Sequence, residues 1–426
     1  MHATTRLFAR PVINFIAIAT IMVGGVIGGI NGATHKAFAS DLTSDLTSDF
    51  VRLSTEAKGQ TVYFNAWGGD DKINAYISWA GDIVKQRYGV TLRHVKLDDT
   101  ATAIARILGE QAAGRTEDGT IDLVWVNGAN FAAMKSAGLL QADSWVQDLP
   151  NWRYTDAAEF PGIVNDFAVP TDGLESPWGR AQLVFAYNSA FLAEPPRSAR
   201  ALAEYIANNP GRFTFPQPPD FIGNSFLKQL LIELSTNKSP LYQPVEDADF
   251  DAVTKPLWAW LDRARPNLWR AGAVYPANYP ALRQLLGDGE IDIAIAFNPA
   301  DASAAIANGS LPDSVRTYIH DAGTLANVHF LAIPFNASAP QGAKIVANFL
   351  LSPEAQIHKA DPHIWGDPTV LSQGKLSDPD KARFDALPRG IATLSESELA
   401  PSLAEPHPSW VNHLAREWQR RYASGE

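Results

Sequence analysis

The sequence predicts an α/β fold in two lobes, and three observations carry that expectation. Strands alternate with helices from residue 61 onward, the usual sign of parallel pairing through right-handed crossovers. A second series of strand, Asn-containing turn and helix start recurs at "GEIDIAIAFNPADASAA", residues 289–305. Finally, 426 residues with 46% apolar content exceed what one core usually organises.

The first unit begins with "TVYFNAW", residues 61–67, a strand that runs into Gly68-Gly69 and a helix begun by Asp70 or Asp71. Ile73, Tyr76, Ile77, Ala80, Ile83 and Val84 recur at helical spacing, and Gly89 stops the run. A second strand is expected at "VTLRHVKL", 90–97, with residues 98–100 capping a helix that ends near Gly114. "IDLVWV", 121–126, leads into Asn127-Gly128 and a further helix through Met134. In "SPWGRAQLVFAYNS", 176–189, the unbroken apolar run 183–187 reads as a strand buried on both faces, with Trp178 and Arg180 at its mouth.

The "EPP" linker, 194–196, opens the second lobe: a helix near 199–208, the strand "RFTFP", and the loop "QPPDFIGNS" before a helix at 226–234. "NVHFLAIPFNAS", 327–338, is another apolar strand and "KIVANFLLSPEAQ" a helix. Trp410, Val411, Leu414, Trp418 and Tyr422 form one stripe on a closing helix, which predicts docking on the core.

The N-terminus indicates export. Arg6 and Arg10 precede an uncharged run, 11–30, and "AFA" supplies a small-x-small site, so cleavage of a signal peptide, 1–39, is expected after Ala39. Residues 1–39 hold three cations (Arg6, Arg10, Lys36) and no acid, so their removal takes the formal charge from −11 to −14. An acidic balance of that kind argues against nucleic acid or an anionic membrane as partner. The chain has no cysteine, which excludes disulfides, thiolate metal sites, a cysteine nucleophile and a lipid-acceptor thiol.

Enzyme signatures are thin. "STNK", 235–238, has the Ser-x-x-Lys spacing of penicillin-recognising enzymes without their later motifs. His358 and His363 stand five apart, off a common helical face, so neither a metal nor a cofactor is expected. What recurs instead is a turn rich in Gly, Asn, Ser and aromatics where a strand hands over to a helix. Trp67-Gly68-Gly69, Asn127-Gly128, Trp178-Gly179-Arg180, Gly223-Asn224-Ser225 and Asn298 fit this description, with Tyr279 nearby in kind. Glycine admits close backbone approach, helix N-termini offer free N–H donors, and Trp offers a flat wall. Each turn taken singly is better explained by turn-making and capping; their repetition in both halves points to a binding cleft.

The motifs "NAWGGD", "DLVWVNGANF", "SPWGRAQLVFAYN", "FTFPQPPDFIGNSFL", "GEIDIAIAFNPA", "NVHFLAIPFNA" and "ANFLLSPEAQIHKADPHIWGDPTVL" span residues 60 to about 371. Through them the sequence resembles the YnjB-type periplasmic substrate-binding proteins of ABC transporters. That resemblance implies a periplasmic-binding-protein fold (type 2 solute-binding protein) with a hinge of crossing strands. It also implies a periplasmic monomer that passes a small-molecule solute to ABC permease subunits served by a cytoplasmic ATPase. By the same analogy, lobe one comprises 60–186 plus 315–360 and lobe two 187–314 plus 361–426. The chain then crosses near 184–187 and 331–334, with Trp178 and Arg180 beside the hinge.

The solute's charge stays open. Arg180 with helix N-termini suits a carboxylate or phosphate, whereas Asp70, Asp71 and Asp301 suit a cation, unless they are only caps. The alternative to a receptor is a secreted hydrolase that uses Asp292 and Glu290.

Overall fold

The computed structural model describes residues 48–399 and 402–423; the expected signal peptide and its cleavage after Ala39 lie outside the described residues. Two sheets organise the chain. In the first, β1 (Thr61–Trp67) pairs in parallel with β2 (Thr91–Leu97) and with β3 (Leu123–Val126). A short hairpin, β4 (Asn165–Asp166) and β5 (Val169–Pro170), precedes β6 (Glu175–Gln182). The second sheet holds β7 (Val184–Asn188) between β8 (Ile293–Ala296) and β9 (Val315–Tyr318), all antiparallel. The chain then returns as β10 (Thr324–Ala332), antiparallel to both β6 and β3, and β11 (Ser402–Leu403) joins β10.

Local sequence explains the first unit. The helix Asp71–Tyr88 is capped by Asp70, whose carboxylate accepts the N–H groups of Lys72 and Ile73, and it stops at Gly89, where φ is 70°. Ile73, Tyr76, Ile77, Ala80 and Val84 form its buried stripe as the spacing predicts. The closing helix, Ser409–Trp418, docks through buried Trp410, Leu414 and Trp418, again as predicted. Among the described residues no helix is long and apolar enough to cross a membrane.

The crossings differ from the expected ones. β6 lies in the first sheet and β7 in the second, so the chain passes between them at Leu183, whose N–H donates to Leu325. The return falls between Tyr318 and Thr324, not at 331–334, where Leu331 and Ala332 pair deep in the first sheet. Gln182 pins the passage: its side-chain amide donates to Thr324 Oγ1 and to the Leu399 carbonyl. Residues 184–186 are buried on both faces, as their apolarity requires, but in the second sheet. Trp365, Val370, Leu371 and Leu376 pack in the cores under the first sheet, whereas the expected division put 361–426 wholly in the other lobe. Only from Ala392 onward do buried residues join the second core. The expected strand "RFTFP" makes a single bridge, Phe213 to Ile293.

Candidate functional site

The turns at the ends of β1 and β8 face one another. Trp67 ends β1 and remains partly exposed, and its indole lies against Gly69, where an added Cβ would meet the ring. The Gly68 carbonyl accepts from the Asn74 side-chain amide, which fixes the turn. Opposite, Asn298 follows β8 and caps the next turn by accepting the Ala300 N–H at 2.9 Å. Asp301 then receives the Tyr279 hydroxyl and the Arg283 guanidinium. Burial holds the Asp301 carboxyl above its ordinary range, Arg283 and Tyr279 pull it down, and the Asp70 charge pushes it up. Asp70 thus acts electrostatically on Asp301 and Arg283 from the opposing turn. The two sides also meet at Gly366, where an added Cβ would stand 2.8 Å from that of Ala300.

A second junction lies deeper. Gly128, after β3, has φ 55° and donates its N–H to Asp166 at 2.6 Å. The Phe167 ring covers it so closely that a Cβ would come within 2.7 Å. Over that ring, 4.6 Å from its centre, stands the Lys228 ammonium, which is paired with Glu405. Asn127 is half-buried beside Gly128 and accepts the Asn130 N–H through its carbonyl.

The triplet Gly223-Asn224-Ser225 is not a loop. It lies in the first turns of the helix Phe221–Leu234, capped by Asp220. Gly223 lets the helix pack on the Pro216 carbonyl, Asn224 donates to the Pro219 carbonyl at 3.0 Å, and Ser225 is fully buried. Next to them Phe221 stays exposed, edge-on to Phe297.

Trp178-Gly179-Arg180 departs most from expectation. Trp178 is fully buried, ringed by Phe64, Tyr76, Trp125, His329 and Trp365, and presents no wall to a solute. Gly179 makes room for His329 and Asp367, whose carboxylate also takes Lys359. Arg180 donates to the Thr369 carbonyl and lies over the Phe160 ring at 4.2 Å, so it braces the segment that follows the helix Pro353–Ala360. These residues hold the core beside the hinge because 365–369 folds over them.

The carboxylates considered for hydrolysis are occupied. Asp292 accepts from Arg212 and from the Tyr205 hydroxyl at 2.5 Å, and Glu290 accepts from the Trp269 indole at 2.8 Å. The residues that sequence reasoning missed are Asp166, Phe167, Lys228 and Glu405. Lys228 did leave a sign: it is the lone cation inside the apolar stretch "SFLKQLLIEL".

Residues 79–380 match the family described as bacterial extracellular solute-binding protein. Protein YnjB of Escherichia coli (strain K12) is 47% identical over 372 residues, covering 87% of this chain and 93% of that protein. Among solved structures, the spermidine/putrescine ABC transporter substrate-binding protein PotD of Streptococcus pneumoniae matches with TM-score 0.60 and 14% identity, over 85% of this chain and 98% of that one. The periplasmic binding protein AfuA of Actinobacillus pleuropneumoniae, solved with exogenous fructose-6-phosphate bound, gives 0.59 and 14%, over 86% and 99%. At such identity these structures establish the fold alone, a two-lobed α/β solute-binding architecture. With that fold, and with the extent of both sequence matches, the chain belongs to the bacterial extracellular solute-binding protein family.

Proposed function

We propose that this chain is an exported receptor that captures a small polar solute between its lobes and hands it to an ABC-type permease without chemistry of its own. The observation that carries the reading is the opposition of the Trp67–Asp70 turn, which follows β1, to the Tyr279, Arg283 and Asp301 group on the two helices that flank β8. Each cluster alone is a half-site, and closing one over a solute on the other favours the closed form. We take lobe one to run to Gln182 and to include 324–385, and lobe two to hold the second sheet and the residues from Ala392. The engagement of Asp292 and Glu290 in structural hydrogen bonds supports a protein that does not turn its ligand over.

The arrangement offers both an anion, Asp70, and a cation, Arg283, to the same space. The test is thermal unfolding of residues 40–426 against polyamines, sugar phosphates, organic acids, sugars and thiamine derivatives. A true solute at 100 times its Kd adds about 2.7 kcal/mol and raises the midpoint by several degrees. Turnover of any panel member by the purified protein would replace the receptor reading with an enzyme.

A further inference from the structure

The hairpin between β4 and β5 is built against local preference. Asp166 pairs with Val169, so Phe167 and Ala168 alone form the turn, at φ 44° and 64°. Two left-handed central residues define the turn in which Asn-Gly is ordinarily found, and a phenylalanine and an alanine occupy it only when the surroundings hold them there. Here the surroundings come from both lobes. Phe167 presses on Gly128 of the first lobe, and Lys228 of the second lobe caps its ring at 4.6 Å.

The charges behind the turn are unbalanced. Asp166 and Glu175 are 1% exposed, Lys228 2% and Glu405 4%, so three carboxyls share one ammonium out of contact with water. Glu405 takes that ammonium and the Asn327 amide. Asp166 is left with the Gly128 N–H on one oxygen, while its other oxygen and both oxygens of Glu175 have no hydrogen-bond partner among the described residues. The groups facing Asp166 are Glu405 and Lys228, and Glu175 faces Asp166 and Lys135. Lys135 is itself tied to Asp172 at 2.6 Å and to the Pro170 carbonyl, and Tyr242 senses Glu405 from the other side. An ionised carboxylate without donors is far more costly in such a place than a neutral acid.

We propose that Asp166 is the positioning residue of a proton-linked latch: as a neutral acid it seats Phe167 between Gly128 and Lys228 and favours the closed lobes. This rests on the receptor reading, since it requires that the lobes move. Burial, more than any neighbour, holds the Asp166 carboxyl up to about 8, and it raises Glu175 as well. An opened junction is hydrated, and its carboxyls ionise in the ordinary range near about 4. Closing is therefore unopposed by ionisation below that range. The Asp166 contribution makes closing progressively less favourable as pH rises toward about 8 and is constant above, and Glu175, also raised by burial, opposes closing in the same direction. Within the window each proton taken up shifts the ratio of closed to open by up to about tenfold per pH unit.

The experiment uses the absence of native cysteine. Spin labels at Leu108→Cys and Phe191→Cys, both exposed and on different lobes, report the lobe separation by double electron–electron resonance between pH 5 and 9. The wild-type closed fraction falls as pH rises, whereas Asp166→Asn, which keeps the acceptor for Gly128, holds a larger closed fraction at pH 9 and gives a shallower profile. Glu175→Gln on top of it removes the remaining slope. Parallel wild-type and Asp166→Asn profiles with mobile lobes overturn the latch and leave the receptor intact. One narrow distance at every pH in all three proteins also overturns the latch, while the receptor reading then stands or falls on the thermal screen with solutes.

Discussion

Lys228 and Glu405 form an ion pair at 2.5 Å with both side chains buried, and they join the helix Phe221–Leu234 to the irregular segment that follows β11. A charge removed from such a pair leaves the other stranded. Glu405→Gln or Lys228→Met is expected to lower stability by about 3–5 kcal/mol, read from urea midpoints at unchanged slope. The double replacement Lys228→Met with Glu405→Leu recovers most of that loss, because the penalty belongs to the unpaired charge.

Trp178 is a core residue. Trp178→Ala is expected to lose about 3–5 kcal/mol of stability through the cavity it leaves among Phe64, Trp125 and Trp365. Solute affinity per folded molecule is expected to be unchanged, and titration below the unfolding midpoint checks it. A loss of affinity without a loss of stability would return Trp178 to the cleft.

Gly128 has two separate reasons to be glycine, its positive φ and the ring above it. Gly128→Ala therefore costs more than the roughly 1 kcal/mol of the backbone term alone. Combined with Phe167→Ala, the steric part disappears and the backbone part stays, so a double-mutant cycle measures a coupling of about 1 kcal/mol or more.

Asp292→Asn weakens the hold on Arg212 and Tyr205 and is expected to lower the unfolding midpoint by a loss on the order of 1 kcal/mol. Neither the wild type nor this variant is expected to hydrolyse esters or glycosides on a broad panel.

What the sequence disclosed and what it concealed follow from the range of the forces. The unit from β1 to Gly89 was legible because capping by Asp70, the stripe from Ile73 to Val84 and the glycine stop all act within a few residues. Which sheet the run 183–187 joins was not, since a strand apolar on both faces fits either one. Trp178 misled for the same reason: its cover comes from Gln356, 178 positions away, and from Trp365. The turn at Phe167 carries no Gly or Asn and so gave no local sign, although it touches both lobes.

Isothermal titration of a solute found by the thermal screen, into the wild type and into Trp67→Ala, tests the central claim most directly. If the solute sits between the Trp67–Asp70 turn and the Tyr279 and Asp301 group, Trp67→Ala weakens binding by about tenfold or more while the unfolding midpoint without solute is unchanged. Equal affinities in the two proteins would contradict that placement and move the solute site elsewhere on the molecule.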